Sequence, residues 1–378
     1  MKTLIDKGKL ILGGKMSKTK AEGNVTIKDI ALMCGVSVST VSNVLNGKSN
    51  KASDDLAARI KETVERVGYK PNYLAKSLRA VNSKTIGVIV EDLIVFSSAS
   101  IIEGLMSCCE EHGYNVVIEN MRLNGRWHGQ WMHDQKLYSQ ALQPVLNKMN
   151  SLNTDGIVYI GGHEHKIIGL DPPGNIPFVM AYSYTTNKRI PTFRLDDERG
   201  GYEAIKYLMS MGHKEIAILG GEFDNTHTIN RMMGVQRAFF EAKELFNPNL
   251  VVYCRWNYDG GYEGMKELID SRITDKVSAV FCMSDAIAAG AYEAIKRAGK
   301  VPGEDISIIG YDNQEISSCL YPKLTTMALP LEEIGYQAAV QVIDMCKNAE
   351  QREDPVEQKN TKIACKLLER ASVKRIEE

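Results

Sequence analysis

Eight short apolar runs constrain this chain more than any other feature. They are TIGVIV (85–90), YNVVIE (114–119), DGIVYI (155–160), PFVMAY (177–182), EIAILGG (215–221), LVVYC (250–254), AVFCM (279–283) and ISIIGY (306–311). Each is too short for a buried helix, is rich in branched residues, and reads as a strand buried on both faces. Between them lie 99–113, 200–213, 230–243 and 285–299, each with an apolar stripe at helical spacing and an end near Gly or His. Repeated strand–helix units build parallel sheets with helices on both faces, and this many strands implies two sheets. The fold class expected for 85–378 is therefore α/β. Ligands of such sheets bind beyond the carboxyl ends of the strands. Those ends carry Glu91-Asp92, Gly161-Gly162, Tyr182-Ser183, Gly220-Gly221, Ser284-Asp285 and Tyr311-Asp312. There is no G-x-G-x-x-G, no P-loop lysine, no Ser-His-Asp pattern and no nucleophile elbow. The body reads as a clamp without chemistry, so neither an enzyme nor a cofactor is expected.

The segment before it has another period. Thr26 can cap a helix with Asp29 as its capping-box partner, and Ile27, Ile30 and Ala31 give that helix one apolar face. Gly35 suits a tight turn, Ser37 can cap a second helix with Val41, Val44 and Leu45 inward, and Asn46-Gly47 ends it. The outward side of the second helix carries Val38, Ser39, Thr40, Ser42 and Asn43. These are poor surface-helix residues but short hydrogen-bonding groups suited to a DNA groove. Ser53 can cap a third helix, Asp54 to Val67, with Leu56, Ile60, Val64 and Val67 as its buried stripe. Charge divides the chain in the same place. Residues 25–84 hold ten Lys/Arg against five Asp/Glu, and 1–24 hold six against two, while the whole chain is −1. A basic unit ahead of an acidic body fits a nucleic-acid-binding head on a sensor.

From Val25 to Leu78 the chain resembles the headpiece of the LacI/GalR family of bacterial transcription regulators. The pattern T-x-x-D-I-A, then G-V-S-x-x-T-V-S-x-V-L-N, then G-Y-x-P-N-x-x-A-x-x-L is met here. The body resembles that family's core in G-G-Y-x-A at 200–204, R-x-x-G at 231–234, S-D-A at 284–286 and D-I-S-I-I-G-Y-D-N at 305–313. The resemblance implies an all-α helix-turn-helix head and a hinge helix, followed by a two-lobed core like that of periplasmic sugar-binding proteins. It implies base contacts from Val38, Ser39 and Asn43, and phosphate contacts from Ser37, Thr40, Ser42 and Asn46, with Thr26 and Tyr69 beside them. Asn72, Ala75 and Leu78 fall in a hinge helix that folds as a pair on operator DNA, Leu78 wedging into the minor groove. Arg231 and Asp312 match the main effector contacts, facing each other across the cleft, and Trp256 an aromatic platform. Phe96, Ser97, Tyr182 and Ser284 complete the expected lining. Two departures bear on the DNA contacts: Leu56-Ala57 stands where Thr-Arg is common, and the loop before it is one residue longer.

The expected divisions are an N-terminal extension at 1–24, a DNA-binding domain at 25–71 and a hinge at 72–84. One core lobe comprises 85–189 with 328–346, and the other 190–327 with 347–378. Met16 is a candidate start, the alternative being a basic arm. Eight cysteines lack C-x-x-C spacing and read as reduced thiols; with no secretory signal and no apolar run of membrane length, the location expected is the cytoplasm. A homodimer on a palindromic double-stranded operator is expected, since no heptad tail follows the core, together with a saccharide effector. Rival readings are a regulator gated by a protein co-regulator, and a plain sugar-binding protein. The aromatic stretch from Arg122 to Gln140 reads as a lid or partner surface. His163-Glu164-His165 offers no further ligands nearby in the chain, and no metal is assigned to it.

Overall fold

The computed structural model describes residues 25–45, 47, 52–69, 83–132, 134–168, 170, 176–271, 276–348 and 360–376. The extension at 1–24 and residues 72–82 of the hinge, with Asn72, Ala75 and Leu78, lie outside them, as does Asn46. The chain divides into two compact units, Met1–Ala80 and Val81–Glu378.

The first unit holds α1 (Ile27–Cys34), α2 (Val38–Leu45) and α3 (Asp54–Val67). Thr26 and Asp29 make the reciprocal capping box of α1, and Gly35 leaves it at φ 65°. Ser37 Oγ accepts the Thr40 N–H at 3.1 Å, closing the first turn of α2. Ser53 caps α3 and Gly68 ends it in the left-handed region. Ile30, Ala31, Cys34, Val41, Val44, Ala57 and Ile60 form the core. The buried line of α3 is Ala57, Ile60 and Thr63, whereas Leu56, Val64 and Val67 pack at its rim. The expected stripe is thus rotated by about one residue, with Ile60 common to both.

The second unit begins its first sheet with β1 (Thr85–Val90), α4 (Phe96–Glu111) and β2 (Asn115–Asn120). Next come α5 (Leu123–Trp127), a 3-10 turn at Gln130–Met132, α6 (Gln135–Ser151) and β3 (Gly156–Ile160). The strands β4 (Lys166–Ile167), β5 (Phe178–Ala181), β6 (Tyr184–Thr185) and β7 (Thr192–Leu195) follow. Then come α7 (Asp197–Ser210), β8 (Ile216–Gly220), α8 (Thr226–Ala242), β9 (Val251–Tyr253) and α9 (Tyr258–Asp270). After these stand β10 (Ala279–Cys282), α10 (Asp285–Arg297), β11 (Ser307–Asp312), α11 (Ile316–Cys319) and β12 (Thr325–Ala328). The chain closes with α12 (Leu331–Lys347), β13 (Asn360–Ile363) and β14 (Lys366–Leu368).

One six-stranded sheet runs β13-β7-β5-β3-β1-β2 and a second runs β14-β12-β11-β10-β8-β9; β4 and β6 form a small pair. All named pairings are parallel except β12 with β14. The first sheet is covered by α4 and α12 on one face and by α6 on the other. The second sheet lies between α9 with α10 and α7 with α8. Each lobe is therefore a three-layer sandwich whose central strands are buried throughout.

The sheets move the expected lobe boundaries. Strand β7 pairs with β5, so the first lobe extends through Leu195 rather than stopping at 189. Strand β13 pairs with β7, so residues 360–363 also belong to the first sheet. A boundary read from apolar runs misses both strands, because each is short and joins a sheet begun far earlier in the chain. The Arg122–Gln140 stretch is part packed and part exposed, with Arg122, Arg126, His128 and Gln130 exposed. Leu123 and Trp131 are buried in the first lobe, with Trp131 Nε1 donating to Asn124 Oδ1 at 3.2 Å. Among the described residues no helix is long and apolar enough to cross a membrane. None of the eight cysteines is in a disulfide.

Candidate functional site

On the head, Ser37 and Ser39 are exposed, and their hydroxyls lie 2.7 Å apart. Thr40, Ser42 and Asn43 are half-buried along α2. Val38 and Tyr69 pack partly against the apolar core, so each offers only one edge outward. Thr26 is committed to its capping box. Arg59 of α3 donates to the Cys34 carbonyl and so caps the end of α1.

In the body, the candidate effector residues gather at the carboxyl ends of the strands. Asp197 opens α7 just after β7, and its carboxylate is fully buried. Its Oδ1 accepts from Arg231 Nε at 2.8 Å, and its Oδ2 lies 2.6 Å from His227 Nδ1. Burial alone would raise this carboxyl, but Arg231 and His227 outweigh it and hold it well below the usual carboxylate range. Arg231 also donates to the Met283 carbonyl and lies 3.6 Å over the Tyr311 ring. Only its far nitrogen approaches Asp312, at 3.9 Å. Arg231 and Asp312 thus stand side by side on the second lobe and do not face each other across the cleft. Asp312 is held at φ 111° at the end of β11, and burial pushes its carboxyl up to about 8 despite Arg231.

The first lobe supplies the opposing wall. Tyr182 is buried at φ 57°, with its ring 5.6 Å from His227. The Glu164 backbone N–H donates across the cleft to His227 Nε2 at 3.1 Å. That bond places the ring proton on Nδ1, toward Asp197. Glu164 Oε1 accepts from Arg194, whose guanidinium stacks 3.9 Å over Tyr184. Trp256 stands 6.4 Å from His227 and 5.6 Å from the Arg231 guanidinium. Phe96 is half-exposed and lines a cleft of about 730 Å³ with Ser100, Asp312, Gln314 and Leu331. Ser97 and Ser284 are buried in structural roles: Ser97 Oγ donates to the Gly162 carbonyl, and Ser284 Oγ accepts the Ile287 N–H at the start of α10.

Three buried polar atoms here have no hydrogen-bond partner among the described residues: Glu164 Oε2, Thr228 Oγ1 and Trp256 Nε1. Glu164 is bonded to His227 through its backbone N–H, Thr228 follows His227 in the chain, and the Trp256 ring stands 6.4 Å from that of His227. Sequence reading missed Asp197, His227, Glu164 and Arg194. The one signal for Asp197 was an acidic residue between a strand and the G-G-Y helix start; lone His227 carried none.

A helix-turn-helix head followed in the chain by a two-lobed α/β body with a polar cleft defines a DNA-binding regulator with a sensor core. Residues 26–72 match the family model for bacterial regulatory proteins of the lacI family, and residues 205–373 match the periplasmic binding protein-like domain. The chain is 32% identical over 323 residues to the ribose operon repressor of Haemophilus influenzae, covering 85% of this chain and 92% of that one. It is 30% identical over 331 residues to the HTH-type transcriptional repressor CytR of Escherichia coli, covering 87% and 92%. The lac repressor dimer bound to operator and the anti-inducer ONPF superposes with a TM-score of 0.75 at 21% identity, over 93% of this chain and 100% of that one. The chain belongs to the lacI family of bacterial regulatory proteins and is a DNA-binding transcriptional regulator.

Proposed function

We propose that this regulator is a repressor that binds a palindromic operator as a homodimer and is gated by a saccharide held around His227. The observation that carries the effector class is the set of unpartnered buried atoms: a carboxylate oxygen, a hydroxyl and an indole N–H. Buried polar groups left without partners are costly, and hydroxyl groups, which both donate and accept, can meet all three. The faces of Trp256 and Tyr182 suit the apolar face of a sugar ring. The name of the relative that governs a ribose operon points the same way. Arg231, Asp312, Trp256 and Tyr182 are the effector contacts in this reading, and Phe96 stands at the entrance. Ser39 and Asn43 read bases, and Ser37, Thr40 and Ser42 hold phosphates. Closure of the lobes on effector changes the spacing of the paired heads, and with it the order of the hinge helices.

The test is a thermal-shift screen against pentoses, hexoses, disaccharides, nucleosides and purines. A ligand at about 100 times its dissociation constant adds roughly 2.7 kcal/mol. Trp256→Phe keeps an aromatic face and removes the N–H, so a saccharide hit should weaken about 3- to 10-fold. A hit confined to nucleobases, or one indifferent to Trp256→Phe and Thr228→Val alike, would overturn the effector assignment. For the head, Ser39→Ala and Asn43→Ala should each lower specific binding by about 1–3 kcal/mol with little change on random duplex.

A further inference from the structure

Beside the cleft, the first lobe brings together three groups that effector binding does not use. Glu91 stands at the end of β1, and His163 and His165 lie on the loop after β3. One potential ligand atom from each lies within 4.8 Å of the other two. The two imidazoles stack with centroids 4.8 Å apart, and the buried Trp131 walls both, at 5.9 Å and 5.5 Å. We propose that Glu91, His163 and His165 form a site for a first-row divalent cation of the zinc type.

The hydrogen bonds around the cluster are those of a ligand shell. His165 Nδ1 lies 2.9 Å from the His163 carbonyl, which can only accept, so Nδ1 carries the proton. The other nitrogen, Nε2, is buried 3.1 Å from Glu91 Oε1 and has no other polar partner among the described residues. In a neutral ring, that nitrogen turns a lone pair toward a carboxylate oxygen. Two acceptors at this distance need a cation or a proton between them. A histidine that ligates metal typically donates its second N–H to a carbonyl in this way. Glu91 is itself oriented from outside the cluster: Tyr159 donates to Oε1, and the Gly162 N–H donates to Oε2 at 2.8 Å. Tyr138 holds Tyr159 in turn, with the two hydroxyls 2.5 Å apart.

Two imidazoles and a carboxylate suit zinc and its neighbours rather than calcium or magnesium, which take oxygen ligands. Three protein ligands leave a fourth position for water or another small ligand. The same loop carries Glu164, whose N–H reaches His227 on the other lobe. A cation tying this loop to β1 would brace the contact between the lobes.

The experiment titrates the metal-stripped full chain with Co²⁺ and then displaces it with Zn²⁺. One equivalent of Co²⁺ should bind with visible d–d absorption and no thiolate charge-transfer band. His163→Ala and His165→Ala should each weaken binding by at least about 100-fold, and Glu91→Gln, which keeps the shape, by at least about 10-fold. No saturable uptake by the parent chain would overturn the proposal, leaving His165 and Glu91 as an ion pair. Uptake unchanged in all three variants, or a thiolate band that persists in them, would overturn it too.

Discussion

Arg231 shows how a buried charge is held in this protein. Only 2% exposed, it is paired with Asp197, bonded to a backbone carbonyl and stacked on Tyr311. Removing it leaves a buried carboxylate with His227 as its remaining partner. Arg231→Ala should therefore destabilise the core by about 3–5 kcal/mol, read from denaturant melts, besides abolishing the effector response. Asp312 behaves in the opposite sense. Its carboxyl titrates at about 8, chiefly through burial, so the folded protein keeps a proton that the unfolded chain releases above about pH 4. Stability from this group is complete below that lower value and is lost as pH rises toward about 8. Asp312→Asn removes the slope, so the variant's melting temperature should gain on the parent's between about pH 5 and pH 8. Parallel pH profiles would refute this. Arg231 was legible from its motif, but its partner was not: Asp197 lies 34 residues back, and no local spacing joins them.

Helix pairs are the units that set these side chains. A Cβ on Gly201 of α7 would fall 2.2 Å from the Arg231 carbonyl oxygen, and one on Gly234 of α8 would fall 1.8 Å from that of Glu198. The pairs α4 with α12 and α9 with α10 meet in the same manner, through Gly104 with Gly335 and Gly261 with Gly290. Each lobe thus rests on helices whose backbones touch across glycine, and the α7–α8 seam positions Arg231. Gly201→Ala must push α8 away. It should cost about 1–3 kcal/mol in the core and weaken effector binding without touching the cleft. In the head, Thr26→Ala removes the cap of α1 and should lower the head's stability by about 1 kcal/mol, measured by its own unfolding transition. The caps of α1 and α3 could be read from the chain because a cap is a contact over three residues. The rotated face of α3 could not, since it depends on which neighbours lean on it.

The two compact units each have their own apolar core. A chain reduced to residues 83–378 should keep its effector-induced thermal shift and lose operator binding, which calorimetry and gel shift would check. An effector response that vanishes with the head would contradict the cleft assignment. In the intact chain the basic head makes affinity for random duplex fall linearly with salt on a logarithmic plot, by about 0.9 per phosphate neutralised.

The amino-acid pattern by itself determined the elements and their order. Periods of two and of three to four residues are local, and so are the caps and glycine stops. It also determined the family, through motifs whose spacing is held within single elements. Tertiary structure alone decided that β7 and β13 complete the first sheet, that Asp197 and not Asp312 is the near partner of Arg231, and that Glu91 meets His163 and His165. Strand pairing and charge pairing are contacts between segments far apart in the chain. Which segments meet is settled only when the sheets close and burial forces every polar group to find a partner.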